Sequence, residues 1–558
     1  MPDSLEQTDS KSPQPLDSML PDSMFPKLDD AQIARLAPFG QQGDVEAGAV
    51  IVNQGDSQHG VFIVLKGSLE VRNISAVGGP TLRILGPGEF TGEVNVLSGR
   101  RTLVRIQAHE AGTLLEINRA NLRRIMQTDA ALGEIFLNAF ISRRVFLIAN
   151  SVGDAVLIGS SHSSDTMRLR EFLTRNAHPH HYLDIETDPT VHAILEQFGI
   201  PVTDIPVLIC RGDQALRNPT NAEAAACFGL NDEIDQGEVC DLIVVGAGPS
   251  GLAAAVYGAS EGLSVQVLEK NAPGGQAGAS SRIENYLGFP LGISGQELAS
   301  RAFIQAEKFG ARIAIARSAT ALKSTRSPYI VELDDGKLAR GRTIIVAAGG
   351  RYRRLELPNL AQFEGVGIYY GATRVEAEFC RQEEVAVVGG GNSAGQASIF
   401  LSDIAKHVYL LVRGPCLAKT MSQYLISRIE ASPRITLMVW TRIEALEGGE
   451  ALERFRWHNT KTGEKGVSEI RHVFVMTGAD PNTQWLQGCV ELDANGFIKT
   501  GADVGSDWPL RRSPYILESS LPGVFAVGDI RAGSIKRVAS AVGEGSMAVQ
   551  LVHKVLAE

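Results

Sequence analysis

At 558 residues the chain has room for three to four domains of about 150 residues each, with several separate cores. Its formal charge of −10, without any block of lysines and arginines, excludes the electrostatic footprint of a nucleic-acid binder. RRVFLIANSVGDAVLIGSS, residues 143–161, is interrupted too often by polar residues to span a bilayer as a helix.

Residues 1–24 are polar and rich in Pro, Ser and Asp, with no apolar h-region. They read as a disordered tail, not a signal peptide, which makes the cytoplasm the expected location. The six cysteines, Cys210, Cys227, Cys240, Cys380, Cys416 and Cys489, form no CxxC. Neither a metal site nor a vicinal redox dithiol is signalled, and six reduced thiols are expected.

From residue 25 to 151 a helical pattern is followed by short β-type runs such as VFIVLKGSLEVR and TLRILGPGEF, then by the long helical pattern ALGEIFLNAFISRRVFLIA. That order predicts a small β-barrel or jelly roll flanked by helices. With Gly55-Asp56, Gly67, Gly86, Gly88 and TGEVNVLSGRR, the segment resembles the cyclic-nucleotide-binding domains. The resemblance implies that Gly92 and Glu93 face a ribose, and that Arg100 or Arg101 pairs with a cyclic phosphate. A guanidinium fork beside the free amides of a helix start suits that charge. A barrel kept for docking or dimerisation is the alternative.

Residues 154–230 alternate strand-like AVLIGS, HHYLDI and DIPVLIC with helical MRLREFLTRN, VHAILEQFG and AEAAACFGL. The segment resembles a glutaredoxin or thioredoxin fold, with Ile205-Pro206 where that family keeps a cis-proline. The family's CxxC falls on Ser163-Ser164-Asp165-Thr166, so the module is degenerate. Ser163 or Asp165 reads as a helix N-cap, and without a thiolate the loop performs no disulfide exchange.

CDLIVVGAGPSGLAAAVYGASEGLSVQVLEK, residues 240–270, runs strand, glycine turn, helix, strand, acid. Gly246, Gly248 and Gly251 satisfy GxGxxG, and Glu269 stands at the distance that suits a ribose hydroxyl. VAVVGGGNSAGQASIFLSDIAKHVYLLVRG, residues 385–414, repeats the pattern with Gly389, Gly391 and Ala394, flanked by Asn392 and Ser393. Its second strand ends in Arg413, which favours the 2′-phosphate of NADPH over NADH, with Lys419 a weaker second cation. NADH stays open.

With GGQAGASSRIENYLG, LPGVFAVGDIRAGSIKRVASAVGEGS, IIVAAGG and FVMTGADPNT, residues 240–558 resemble the low-molecular-weight thioredoxin reductases. The resemblance implies a multidomain α/β chain with two Rossmann-like domains: an FAD half at 240–358, an inserted NAD(P)H domain at 359–484, and a second FAD part at 485–558. It implies that Gly275, Gln276 and Asn285 contact the flavin, that Gly528 and Asp529 serve the ribityl or pyrophosphate, and that Arg537, Val538 and Ala539 lie beside the isoalloxazine. A homodimer is implied as well.

The family's redox cysteines map onto Ala372 and Val375, and Cys380 lies five residues beyond. With thiols missing from both places where a relay could be built, electrons are expected to pass from reduced flavin directly to oxygen, a quinone or a redox protein. The chain ends at VLAE after its last helical pattern, so the ferredoxin-reducing subtype with a C-terminal extension over the flavin is not favoured. Two other readings stay open: a redox or nucleotide sensor with little turnover, and a disulfide reductase using Cys380 or a partner thiol. Domain fusion suggests that a ligand in the barrel shifts the orientation of the NADPH domain.

Overall fold

The computed structural model describes residues 24–558 apart from 58, 74–80, 151–154, 211–213, 232–233, 325 and 419. Of the expected tail at 1–24, residues 1–23 lie outside the described residues, as does Lys419, whereas Met24 is buried and its carbonyl accepts from Arg143, so the tail does not reach it. The chain divides into two compact units, the first comprising mainly residues 1–155. Among the described residues, no helix is long and apolar enough to cross a membrane.

In the first unit Gln41–Val45, Arg105–Ile117, Val61–Arg72 and Thr81–Leu85 form an antiparallel sheet in that spatial order, and Val50–Val52 pairs with Arg105–Ile117. Phe62, Val64, Leu69, Leu82, Leu85 and Leu114 fill its interior. Helix Ala130–Ala149 buries Leu132, Phe136, Ala139, Phe140, Arg143 and Leu147, a spacing that keeps them on one face. Phe90 meets Phe136 edge to face, with ring centroids 4.7 Å apart.

The thioredoxin-like module has four strands in the order His180–Asp184, Ala155–Gly159, Val207–Cys210, Gln214–Arg217. The Ile205–Pro206 bond is cis. Ser163 caps helix Ser164–Arg175, accepting from the Thr166 amide. The expectation of six reduced thiols is corrected here: Cys210 and Cys227 are disulfide-bonded, while Cys240, Cys380, Cys416 and Cys489 are free. Both bonded residues are buried, and tertiary folding, not a local motif, makes them a disulfide.

The FAD half has a seven-stranded sheet in which Arg312–Ile315, Val265–Glu269, Val239–Val245, Leu338–Val346 and Val524–Ala526 run parallel, and Ala319–Leu322 and Tyr329–Leu333 add an antiparallel edge. All five residues of Val265–Glu269 are buried, as expected of a parallel strand covered on both faces. The inserted half has a five-stranded parallel sheet centred on Glu384–Val388 and an antiparallel three-stranded sheet, Thr441–Gly448, Leu452–Asn459 and Lys465–Ser468. Gly350–Tyr352 pairs with Ala479–Pro481 where the chain crosses between the halves.

Candidate functional site

The first glycine turn joins strand Val239–Val245 to helix Pro249–Ser260. A Cβ on Gly251 would stand 1.8 Å from the Gly246 carbonyl oxygen, so helix and strand close only around glycine. A Cβ on Gly248 would meet nothing within 4 Å. That open face beside the free amides of a helix start could hold a pyrophosphate. Glu269 is buried, and its carboxylate accepts from the amides of Ala247 (2.7 Å), Asn271 (2.8 Å) and Ala272 (3.2 Å). Burial pushes its carboxyl above the ordinary value.

Gly275 lies over this turn, since a Cβ there would be 3.2 Å from Gly248 Cα. Gln276 Nε2 donates to the Gly350 carbonyl at 2.7 Å, and Asn285 is exposed further along the same stretch. From far along the chain, the Gly528 amide donates to Glu544 at 2.6 Å, and Asp529 has its carboxyl pushed up by burial. Arg537 is the N-cap of helix Val538–Ala557, so the helix starts one residue before the expected Ala539. A Cβ on Gly545 of that helix would be 2.2 Å from the Ser250 carbonyl oxygen, so the two helices cross at a glycine. The open face at Gly248 and the converging acids and amides fit FAD.

The second turn joins strand Glu384–Val388 to helix Asn392–Ser402. Gly389 is pressed against the Met476 carbonyl, which a Cβ would approach to 2.4 Å, whereas a Cβ on Gly391 would meet only Thr420 O at 4.0 Å. Asn392 Oδ1 accepts from the Ser422 amide at 2.7 Å, Ser393 is exposed in the first turn, and Ala394 is buried. Arg413 is exposed just past the strand His407–Val412. These residues fit a second dinucleotide.

Ala372 and Val375 are buried at the start of helix Arg374–Phe379. Thr373 and Glu376 form a capping box there, and burial pushes the Glu376 carboxyl up. Cys380 is fully buried, and its Sγ donates to the Glu376 carbonyl at 3.3 Å. The thioredoxin-like module packs against this region. A Cβ on Gly365 would meet Ser164 Cβ at 2.9 Å.

In the first unit Gly92 and Glu93 sit in the loop before the short helix Asn95–Ser98. Arg143 donates to the Gly92 carbonyl at 2.7 Å, and Arg144 lies 3.4 Å from both Glu93 Oε2 and Asn95 Oδ1. Glu93 Oε1 is buried with no hydrogen-bond partner among the described residues. Arg100 is buried and Arg101 half-buried.

Sequence reasoning missed the groups that hold these loops. Glu544, besides holding the Gly528 amide, accepts from Arg531 at 2.6 Å. Arg175 of the thioredoxin-like module donates to the Gly275 carbonyl at 2.7 Å. Only the acid inside VGEGS hinted at Glu544; nothing local pointed to Arg175.

The sequence pattern of the pyridine nucleotide-disulphide oxidoreductases matches residues 240–545, and that of the cyclic nucleotide-binding domain matches residues 43–129. Thioredoxin reductase from Mycolicibacterium smegmatis is 32% identical over 320 residues, 57% of this chain and 97% of the relative. NADPH-dependent thioredoxin reductase 3 from Arabidopsis thaliana is 30% identical over 362 residues, 62% of this chain and 65% of that protein. Among solved structures, Lactococcus lactis thioredoxin reductase in its FR conformation superimposes with a TM-score of 0.52 at 26% identity, covering 57% of this chain and 99% of that one. Thioredoxin reductase from T. acidophilum gives 0.52 at 28%, with the same coverage. The chain therefore belongs to the pyridine nucleotide-disulphide oxidoreductase family, as a thioredoxin reductase-like, FAD-containing NAD(P)H oxidoreductase that also carries a cyclic nucleotide-binding domain.

Proposed function

We propose that electrons leave the flavin of this oxidoreductase directly, for an acceptor such as oxygen, a quinone or a redox protein, with no dithiol between. The slot carries this reading: Ala372 and Val375 hold no thiol, and burial, then the neighbouring Glu376 and Glu383, push the Cys380 thiol up to about 12. Disulfide exchange needs a thiolate, and at neutral pH Cys380 does not supply one.

FAD held here would supply a two-electron acceptor for the hydride of a reduced nicotinamide. The chain's part is to bind and orient. Gly248 and the amides of the first helix turn would take the FAD pyrophosphate, Glu269 a ribose hydroxyl, and Gly528 and Asp529 the ribityl region. Gly275, Gln276, Asn285, Arg537, Val538 and Ala539 would line the flavin. Gly389, Gly391, Asn392, Ser393 and Ala394 would cradle NADPH, with Arg413 at its 2′-phosphate.

The test is an anaerobic mix of the purified yellow protein with NADPH, then NADH, followed by admission of air, a quinone or a redox protein. Fast bleaching and fast recovery, unchanged in Cys380→Ser, are expected. A thioredoxin disulfide as best acceptor, with turnover lost in Cys380→Ser, would overturn the proposal. Bleaching over minutes would instead favour a sensor.

A cyclic nucleotide in the barrel is proposed to modulate flavin reduction. Its support is the unpartnered Glu93 oxygen in a family-matched cassette, a place for a ribose hydroxyl, with Gly92, Arg100 and Arg101 beside it in sequence. Identical bleaching rates with and without saturating cyclic nucleotide would sink it. Homodimeric assembly and a cytoplasmic location are proposed on family grounds, the first to be read by sedimentation.

A further inference from the structure

We infer that Arg175, carried by the thioredoxin-like module, is a positioning residue of the FAD site, fixing the Gly275 peptide and placing a cation beside the cofactor. Helix Ser164–Arg175 ends against the segment 271–278, which closes in the one-turn helix Gly275–Gly278. Arg175 Nη2 donates to the Gly275 carbonyl at 2.7 Å, and a Cβ on Gly278 would stand 3.9 Å from the same nitrogen. The arginine thus holds the peptide of the residue that lies against Gly248, 3.2 Å from a Cβ built on Gly275. Gly275 has φ +52 and follows Gly274 at φ +96. Two successive left-handed residues leave this peptide few partners of its own, and an outside donor fixes its orientation.

The docking is specific on both sides of the arginine. Gln296 Nε2 donates to the Arg175 carbonyl at 3.0 Å, Asn176 Nδ2 to the Asn271 carbonyl at 3.2 Å, and Asn221 Nδ2 to Asn271 Oδ1 at 3.0 Å. The arginine side chain is only 13% exposed. Among the described residues its carboxylate partner is Glu171 at 3.2 Å, itself 37% exposed, and its Nε is buried with no hydrogen-bond partner. Burial raises the Glu269 carboxyl and the Tyr352 hydroxyl, and the Arg175 guanidinium works against that rise at both. A half-compensated cation in a partly buried site favours a bound pyrophosphate dianion and the more negative, reduced state of a flavin. A module that has lost its thiols thereby keeps a task, holding the cofactor of its neighbour.

The experiment uses the full chain. Apoprotein is titrated with FAD by fluorescence, and the flavin midpoint potential is read by dye equilibration, for wild type, Arg175→Met, Arg175→Gln, Arg175→Lys and Arg170→Met. Arg175→Met is expected to weaken FAD binding about tenfold, the loss of one charge-assisted hydrogen bond, and to lower the potential. Arg175→Gln, which can still reach the carbonyl without charge, recovers part of the affinity but not the potential; Arg175→Lys recovers the potential. Arg170→Met, on the same helix but paired with Glu378, leaves both within twofold. Arg175→Met with unchanged affinity and potential would overturn the inference, as would equal losses in Arg170→Met, which would mean that module docking alone matters. A wild-type apoprotein that takes up no FAD would instead overturn the placement of the cradle on which the inference rests.

Discussion

Arg170 of the thioredoxin-like module and Glu378, on the helix that opens at the thiol-less slot, are joined by an ion pair at 2.5 Å, with their side chains 16% and 52% exposed. Ser164 of the same module helix lies against Gly365 of the inserted half, while Arg175 and Asn176 hold the FAD half. The helix thus grips both halves. A half-exposed pair is worth about 0.5–1 kcal/mol. If it restrains the inserted half, Arg170→Met or Glu378→Gln should speed anaerobic bleaching by NADPH about two- to fivefold. The double variant should be no faster than either single one. Unchanged or additive rates in stopped flow would show that the pair restrains nothing.

The two fingerprint glycines should fail in different ways. Gly251→Ala forces a Cβ against the Gly246 carbonyl and should destabilise even the apoprotein, by about 1–3 kcal/mol. Gly248→Ala has φ −71 and open space around the new methyl. Its apoprotein should melt with the wild type, yet lose FAD affinity because the methyl stands in the cradle. Equal melting shifts in the two apoproteins would contradict the assignment.

Glu376 supplies a pH dependence. Burial raises its carboxyl above the ordinary 4.5, so the folded chain keeps a proton that the unfolded chain gives up. Its contribution is complete below about 4.5 and fades as pH rises through the folded value. Glu376→Gln keeps the capping box and removes the titration. Denaturant melts should show the variant gaining on wild type from pH 4 to pH 8. A difference that stays flat, or runs the other way, would refute the buried carboxyl.

Arg413→Ala should cost little stability, because the residue is exposed, and should move cofactor choice toward NADH. The KM for NADPH is expected to rise about tenfold with that for NADH unchanged. Parallel changes in both would mean that Arg413 does not read the 2′-phosphate.

What could be read in advance follows the range of the interaction. Ser163 as a cap, the glycine turns and Glu269 at a strand end are local, set within some thirty residues by dihedral and helix-end chemistry, and the fold shows each in its expected element. The disulfide on Cys210 and Cys227 and the Arg175 bond to Gly275 depend on contacts that no periodicity encodes. The same holds for Glu93 and Arg144, 51 positions apart. Barrel strands could be named in advance, but not which helix arginine would come down on the cassette. The helix start at Val538 instead of Ala539 is the one-residue uncertainty common to helix ends.

The crossing of Gly545 over the Ser250 carbonyl has a consequence for biosynthesis. The Gly248 turn is made early in translation, but the helix that backs it, and the Glu544 that orients Gly528, come from residues 538–557. The parallel sheet of the inserted half, by contrast, is complete at Val475. On a ribosome the sheet of the inserted half can therefore close first, while the proposed flavin cradle is backed only after residues 538–557 have emerged.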